Sequence, residues 1–577
     1  MFTAPTREQL FVLKHVTDID ELAGHNRFAD ATPDMVQAIV EGAGEFAEKE
    51  FAPLNRIGDT VGARMKDGHV VMPDGYKAAW DAYVQNGWAG IAAPADFGGQ
   101  GLPFSLATVS LESLGAANMA LTLCPILSVG AVEAIAHHGS QEQKDLYLPK
   151  LASGEWTGTM NLTEPQAGSD VGALTATATP REDGGWNIKG QKIYITFGDH
   201  DMAENIVHLV LARTPDAPAG TRGISLFLVP KYRVNDDGSV GEDNHVQTVS
   251  IEHKLGINAS PTCVLAYGES GDSIGYLIGP EHGGMRAMFT MMNNARLNVG
   301  LQGVQIGERA TQLALAFAAE RVQSARAGGE SRDPIAILDH PDVRRMLLRM
   351  KAGTQAIRAL LYYASGQVDR ATLGDEDARA LADLLTPLSK AYATDMGIEI
   401  ASLGIQVHGG MGFVEETGAA QHYRDARIAP IYEGTNGIQA ADLVGRKMSM
   451  NGGESMRGLL EMITAEVEDS APLKQLAAAT GRVMQWMQND ASIDDKLGGS
   501  VPFLTMYATL VSGWLMARQR SAAMQELGEG NDPFLKSKIA AADYYIAAMV
   551  PEATGLEGAA MAGEAPLYAL TAAELAA

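Results

Sequence analysis

At 577 residues the chain exceeds the size at which one hydrophobic core keeps growing, so three or four packed units are expected. An apolar content of 46% with 20% charged residues excludes a disordered chain. A net charge of −26 repels phosphate backbones and anionic lipid, which argues against nucleic acid or a membrane surface as partner.

Residues before Glu155 read as helical: VQAIVEGAGEFAEKEFAPL keeps an apolar period and stops at Pro53, YKAAWDAYVQNGW ends at Gly87, and SLATVSLESLGAANMALTL resumes after the turn-rich run from Pro94 to Pro103. The pattern then changes to GWNIKGQKIYITFG, NIVHLVLART and GISLFLVPKY. These are short, rich in branched residues and bounded by Gly, Asp and Pro, which predicts an antiparallel β-domain at hairpin-like spacing. From Gly283 helices return in three long runs, the last stopped by Gly409 and Gly410. MSMNGGESMRG (448–458) is a joint, and an Ala-rich helical segment follows it. The expected class is α+β, mostly α. Four domains are expected, at 1–157 (helical), 158–280 (β), 281–450 (helical) and 451–577 (helical).

The N-terminus lacks a basic start followed by a clean apolar run, and no stretch holds ~18 uninterrupted apolar residues. The expectation is therefore a cytoplasmic protein without a membrane span. Two cysteines, Cys124 and Cys263, build no disulfide framework or thiolate cluster. No GxxxxGK[ST] or HExxH run exists, and the histidines show no ligand spacing, so neither a P-loop nor a metal site is expected. GMGFVE from Gly410 starts like a dinucleotide fingerprint but comes after a helix where a strand is required. GDSIG, with Ser273, matches a nucleophile elbow in letters, yet the next residues, YLIGPEHGG, are too few and too glycine-rich for the helix an elbow needs.

Longer stretches carry more. MNLTEPQAGSD (160–170), QKIYITFG (191–198), QVHGGMGF (406–413) and YRDARIAPIYEGTNGIQAADL (423–443) occur in this order. Together they resemble the acyl-CoA dehydrogenase family from about Phe28 to Lys447. The N-terminal extension, the β-domain insertions and the added C-terminal segment are similar to a longer subgroup of that family.

The resemblance implies an FAD enzyme that desaturates an acyl-CoA between C2 and C3 and passes electrons to an electron-transferring flavoprotein. Such chemistry needs a base for the C2 proton, a hydride acceptor, and hydrogen bonds to the thioester oxygen. The resemblance places the base at Glu433, with IAPIY expected to supply apolar walls that raise its pKa. Glu164 is the next carboxylate to consider. The resemblance further implies flavin contacts at Leu162, Thr163, Tyr194, Thr196 and Thr435, and phosphate contacts at Ser169, Arg321 and Gln323. Gln406 and Gly410 fall on the adenine and pyrophosphate side, Gly410 as a glycine that a close backbone approach would require. Arg296, Asn293 and Gly434 fall beside the acyl-CoA. Met160 stands where the family often has Tyr, Asn293 where it often has Asp, and Gly437 where many members have Gln. A homodimer is implied, because Arg321 would serve a partner's FAD. The longer subgroup implies a short thioester, 3-methylmercaptopropionyl-CoA first. An acyl-CoA oxidase, a non-catalytic acyl-CoA-binding protein and a thioesterase acting through Ser273 are the alternatives.

Overall fold

The computed structural model describes residues 2–577. They form two compact units, residues 27–295 and residues up to Asn26 together with 296–577.

In the first unit, Pro33–Phe46 starts where Thr32 accepts a hydrogen bond from the Met35 amide at 3.3 Å, with Pro33 in the first turn, where a missing N–H costs nothing. Phe104–Ala117 is buried on every side, and Met119–His138 spends most of its apolar surface in the interior. Met119–His138, and Ile493–Leu527 in the second unit, are long and apolar enough by composition to cross a bilayer, but their most apolar windows are 83% and 78% buried within the fold. Helix Gln141–Ser153 opens on a Ser140–Gln143 capping box and closes at Gly154.

The sheet after this helix has eight strands: β1 (Trp156–Asn161), β2 (Thr177–Pro180), β3 (Trp186–Thr196), β4 (Asn205–Ala212), β5 (Ser225–Pro230), β6 (Val246–Ile251), β7 (Thr262–Tyr267) and β8 (Ser273–Ile278). Their order is β6-β7-β3-β8-β5-β4-β1, with β2 also on β3. The expected antiparallel pattern holds for every pair but one: β1 runs parallel to β4, with Trp156 opposite Asn205. Both strands are buried along their whole length, the setting in which parallel pairing is found. Ser273 lies on β8, fully buried, donating to the His245 carbonyl and accepting from the Gly268 amide. A strand-bound, enclosed hydroxyl is no nucleophile elbow.

In the second unit, Pro341–Thr372 and Glu376–His408 pack along each other, and Glu376–His408 stops where Gly409 turns to φ 60°. Helix Gly284–Glu320, which begins before the division, crosses Glu376–His408 so closely that a Cβ on Gly303 would overlap the Ala393 carbonyl. Only glycine permits that approach. The joint expected at 448–458 contains non-helical backbone from Met450 to Gly452. Helix Thr6–Val12 belongs to this unit: Glu8 accepts from Lys538 at 2.8 Å, Lys14 pairs with Glu526 at 2.9 Å, and Thr17 donates to the Tyr362 carbonyl at 3.3 Å.

Candidate active site

Glu433 occupies a tight turn between Ala429 and helix Asn436–Gly445. Its backbone is left-handed at φ 55°, and Gly434 follows at φ 82°. Left-handed backbone is costly for a residue with a Cβ, so the surroundings must impose it. Three contacts do. The Asn436 amide donates to the Pro430 carbonyl at 2.9 Å, closing the turn. The Thr435 hydroxyl accepts from the Ile438 amide at 3.1 Å, capping the helix. The Tyr432 hydroxyl donates to Gln302 on Gly284–Glu320. A Cβ on Gly434 would sit 2.8 Å from Gln439 Nε2 and 3.7 Å from an Arg296 guanidinium nitrogen. The backbone therefore favours glycine at 434, a Cβ there would displace the Gln439 amide, and Arg296 lies against the turn.

Burial pushes the Glu433 carboxyl above its ordinary range, while the charges of Arg296 and Lys390 pull it back without cancelling the effect. Arg296 is 8% exposed, and burial lowers its own pKa. Of the expected apolar wall, Ala429 is buried and Ile431 is 49% exposed. Lys390 is the residue sequence reasoning missed. It is fully buried, burial lowers its pKa to about 8, and Nζ donates to Asn436 Oδ1 at 2.9 Å. The available signal was one cation inside the otherwise apolar or small run LLTPLSKAYA.

A second pair of helix ends lies in the same unit. Arg321 and Gln323 follow the last residue of Gly284–Glu320, and Gln406 and Gly410 flank the end of Glu376–His408. Phe317 stacks on His408 with centroids 4.4 Å apart, so these four residues gather at one end of the bundle, all exposed. The loop after Arg321 is fixed by Gln323–Ile335 and Ile337–Arg321 backbone bonds of 3.0 and 2.8 Å. A Cβ on Gly410 would meet no other atom of this chain within 4 Å, and the neighbouring Gly409 is the left-handed position.

The other candidates lie in the first unit. Tyr194 sits at a β-bulge where Ile195 pairs with Cys263 and Lys192 with Leu265, leaving two β3 residues opposite Val264. Its φ is 60° and its side chain is 61% exposed, beside half-buried Thr196. The Thr163 carbonyl accepts from the Ile193 amide at 2.9 Å and the Leu162 carbonyl from Lys192 Nζ at 3.0 Å. Ser169 is exposed and Asn293 half-buried. Glu164 is not a reserve base. It is 2% exposed and accepts from Lys192 at 2.8 Å, the Thr175 amide at 2.7 Å and the Ala176 amide at 3.0 Å. Burial opposes its charge, but Lys192 and these donors outweigh burial and hold the carboxyl at about 2. A carboxylate that acidic takes protons poorly at neutral pH.

A carboxyl of raised pKa thus lies on a strained turn with the buried Arg296 and Lys390 acting on it. The chain belongs to the acyl-CoA dehydrogenase family: the family's N-terminal domain matches residues 33–155, its middle domain 159–268 and its C-terminal domain 282–448, and an acetyl-CoA dehydrogenase C-terminal-like domain matches 459–571. It is an oxidoreductase acting on a CH–CH bond, and members of the family are FAD-dependent. Among relatives, the chain is 46% identical to 3-methylmercaptopropionyl-CoA dehydrogenase of Ruegeria pomeroyi, over 94% of this chain and 95% of that protein. It is 35% identical to a butyryl-CoA dehydrogenase of Syntrophomonas wolfei, over 97% of both. In structure it resembles an acyl-CoA dehydrogenase of Bacillus anthracis complexed with FAD, with a TM-score of 0.74 and 22% identity, over 94% of this chain and 89% of that one.

Proposed function

We propose that this enzyme desaturates a short acyl-CoA at C2–C3, with 3-methylmercaptopropionyl-CoA preferred, and delivers the electrons to an electron-transferring flavoprotein. The observation that carries the chemistry is Glu433, a carboxyl of raised pKa fixed on a strained turn between Arg296 and Lys390. The substrate reading rests on 46% identity, sustained over nearly the whole chain, to the Ruegeria protein of that name.

FAD, when bound, supplies the hydride acceptor. The residues present fit it. Tyr194 is lifted by a bulge into exposure beside Thr196, and Lys192 holds the carbonyl that precedes Thr163. Leu162, Thr163, Tyr194, Thr196, Ser169 and Thr435 would hold the flavin and its nearer phosphate. Arg321, Gln323, Gln406 and Gly410 would hold the adenine side of a partner subunit's FAD, in a homodimer. Apolar side chains at that end support the dimer: Phe413 is 87% exposed, Val322 53% and Met411 51%. Arg296, Asn293 and Gly434 would meet the acyl-CoA. In the reaction Glu433 takes the C2 proton, and its backbone N–H, held by the same turn, donates to the thioester oxygen as negative charge develops there.

The test is anaerobic mixing of the purified flavoprotein with a panel of acyl-CoAs while flavin absorbance is followed. Rapid bleaching by 3-methylmercaptopropionyl-CoA is expected, with short straight chains next. A tenfold higher kcat/KM for a long-chain or aryl thioester would reject the substrate, and absence of bleaching by any thioester would reject the reaction.

A further inference from the structure

Burying an ammonium is expensive unless hydrogen bonds and opposite charge repay it. Lys390 is fully buried in the middle of helix Glu376–His408, yet among the described residues its hydrogen-bond acceptor is a neutral amide, Asn436 Oδ1 at 2.9 Å. Asn436 is no ordinary partner. Its main-chain N–H closes the Glu433 turn on Pro430 at 2.9 Å. Its side-chain amide donates to three acceptors on the lysine's own helix, the Ala391 carbonyl at 3.1 Å, Thr394 Oγ1 at 3.0 Å and Asp395 Oδ1 at 2.8 Å. One side chain thus ties the turn that carries Glu433 to the helix that carries Lys390, and Lys390 supplies the shorter hydrogen bond to its Oδ1, with Thr394 Oγ1 at 3.4 Å as the second donor.

We propose that Lys390, acting through Asn436, is a positioning residue for Glu433: it fixes the strained turn against helix Glu376–His408 and supplies the second positive charge beside the carboxylate. The inference rests on the reading of Glu433 as base. It assigns two tasks to one buried cation. The first is mechanical. Without the ammonium, Asn436 Oδ1 loses a charge-assisted bond, and Glu433, at φ 55°, loses part of what holds it in the left-handed region. The second is electrostatic. The charged groups facing the pair are Glu433 on the turn, Asp395 on the same helix and Arg296 on Gly284–Glu320, with Arg427 acting on Asp395, and Asp442 and Arg446 on Arg296. Lys390 and Arg296 both favour the ionised carboxylate against its burial, so each offsets part of the rise. The lysine's pKa of about 8 leaves it mostly protonated at neutral pH, where the charge is needed.

The experiment measures the rate constant of anaerobic flavin reduction at saturating acyl-CoA across pH 5–9, with bound flavin and far-ultraviolet dichroism recorded for each variant. Lys390→Met removes the charge and keeps the length. Its acid limb should move to higher pH by about one unit, the low end of what a neighbouring opposite charge contributes. Lys390→Arg should return the limb to near the wild-type position. Asn436→Ala leaves the lysine in place and frees the turn. It should lower the limiting rate at least tenfold with KM within threefold, since a displacement of ~1 Å costs up to ~10² in rate. An unmoved acid limb in a folded, flavin-loaded Lys390→Met would overturn the electrostatic task. Should that variant not fold, wild-type rates in Asn436→Ala would overturn the proposal by themselves. The Glu433 reading fails separately, if Glu433→Gln reduces flavin at the wild-type rate.

Discussion

Replacing Glu433 by Gln removes the base and the negative charge that faces Arg296 and Lys390, and keeps the shape of the side chain. The side chains match in length and branching, and the φ of 55° burdens both equally. The contacts that shape the turn belong to Tyr432, Thr435 and Asn436, so none is lost. The variant should bind FAD and acyl-CoA as the wild type does. A positioned base contributes ~10²–10⁴ in rate, or about 2.7–5.5 kcal/mol of barrier. Because the carboxyl is already raised by burial, it is poised closer to neutral pH than an ordinary glutamate, and the loss belongs at or above the low end of that range. Stopped-flow absorbance of the oxidised flavin gives the rate directly. A fall of at least ~10²-fold is expected. If the Gln variant keeps more than a tenth of wild-type flavin reduction, with flavin content unchanged, the C2 proton leaves to some other group. Glu164, held at about 2 by Lys192 and two amides, is not available to replace it.

Gly434→Ala should cost about 1–2 kcal/mol for its left-handed backbone and push the Gln439 amide aside; a lowered melting temperature together with a lowered kcat checks it. Glu164→Gln strips Lys192 of its counter-charge in a fully buried site and should destabilise by ~3–5 kcal/mol in denaturant titration; full stability would refute the ion pair's role. A carboxyl lowered to about 2 adds stability above its ordinary value of 4.5 and loses it as pH falls from there toward 2, so the Gln variant should lack that part of the acid transition. Phe413→Asp should leave a monomer with reduced FAD content by light scattering and absorbance; an FAD-replete dimer would reject that end of the bundle as the dimer face.

Local signals were readable because each acts over a few residues. Pro and Gly mark where Pro33–Phe46, Gln141–Ser153 and Glu376–His408 begin or end, and branched residues mark β3, β4 and β5. The features that escaped depend on partners far along the chain. The parallel pairing of β1 with β4 arises from both being enclosed, and no alternation within either strand announces it. The bulge that exposes Tyr194 is a register slip against β7 and has no letter of its own. Glu433 was reached through the wording around it, while Lys390 looked like any helix lysine. Its meaning appears only when Asn436, 46 positions on, is seen at its tip.

The docking of the first helix carries a consequence for synthesis. Glu8 is enclosed with Lys538, a partner 530 residues later in the chain, and Phe11 packs with Ala523 and Leu535. At ~5–20 residues per second, Glu8 waits roughly 27 to 106 s after it is made before Lys538 exists. Through that interval the opening segment's apolar residues Phe11, Val12 and Leu13, all buried in the finished protein, stand open to chaperones and to other nascent chains. Folding of this segment therefore waits on a contact between residues 530 positions apart. A ribosome that stalls before Lys538 releases a chain in which Glu8 lacks this partner.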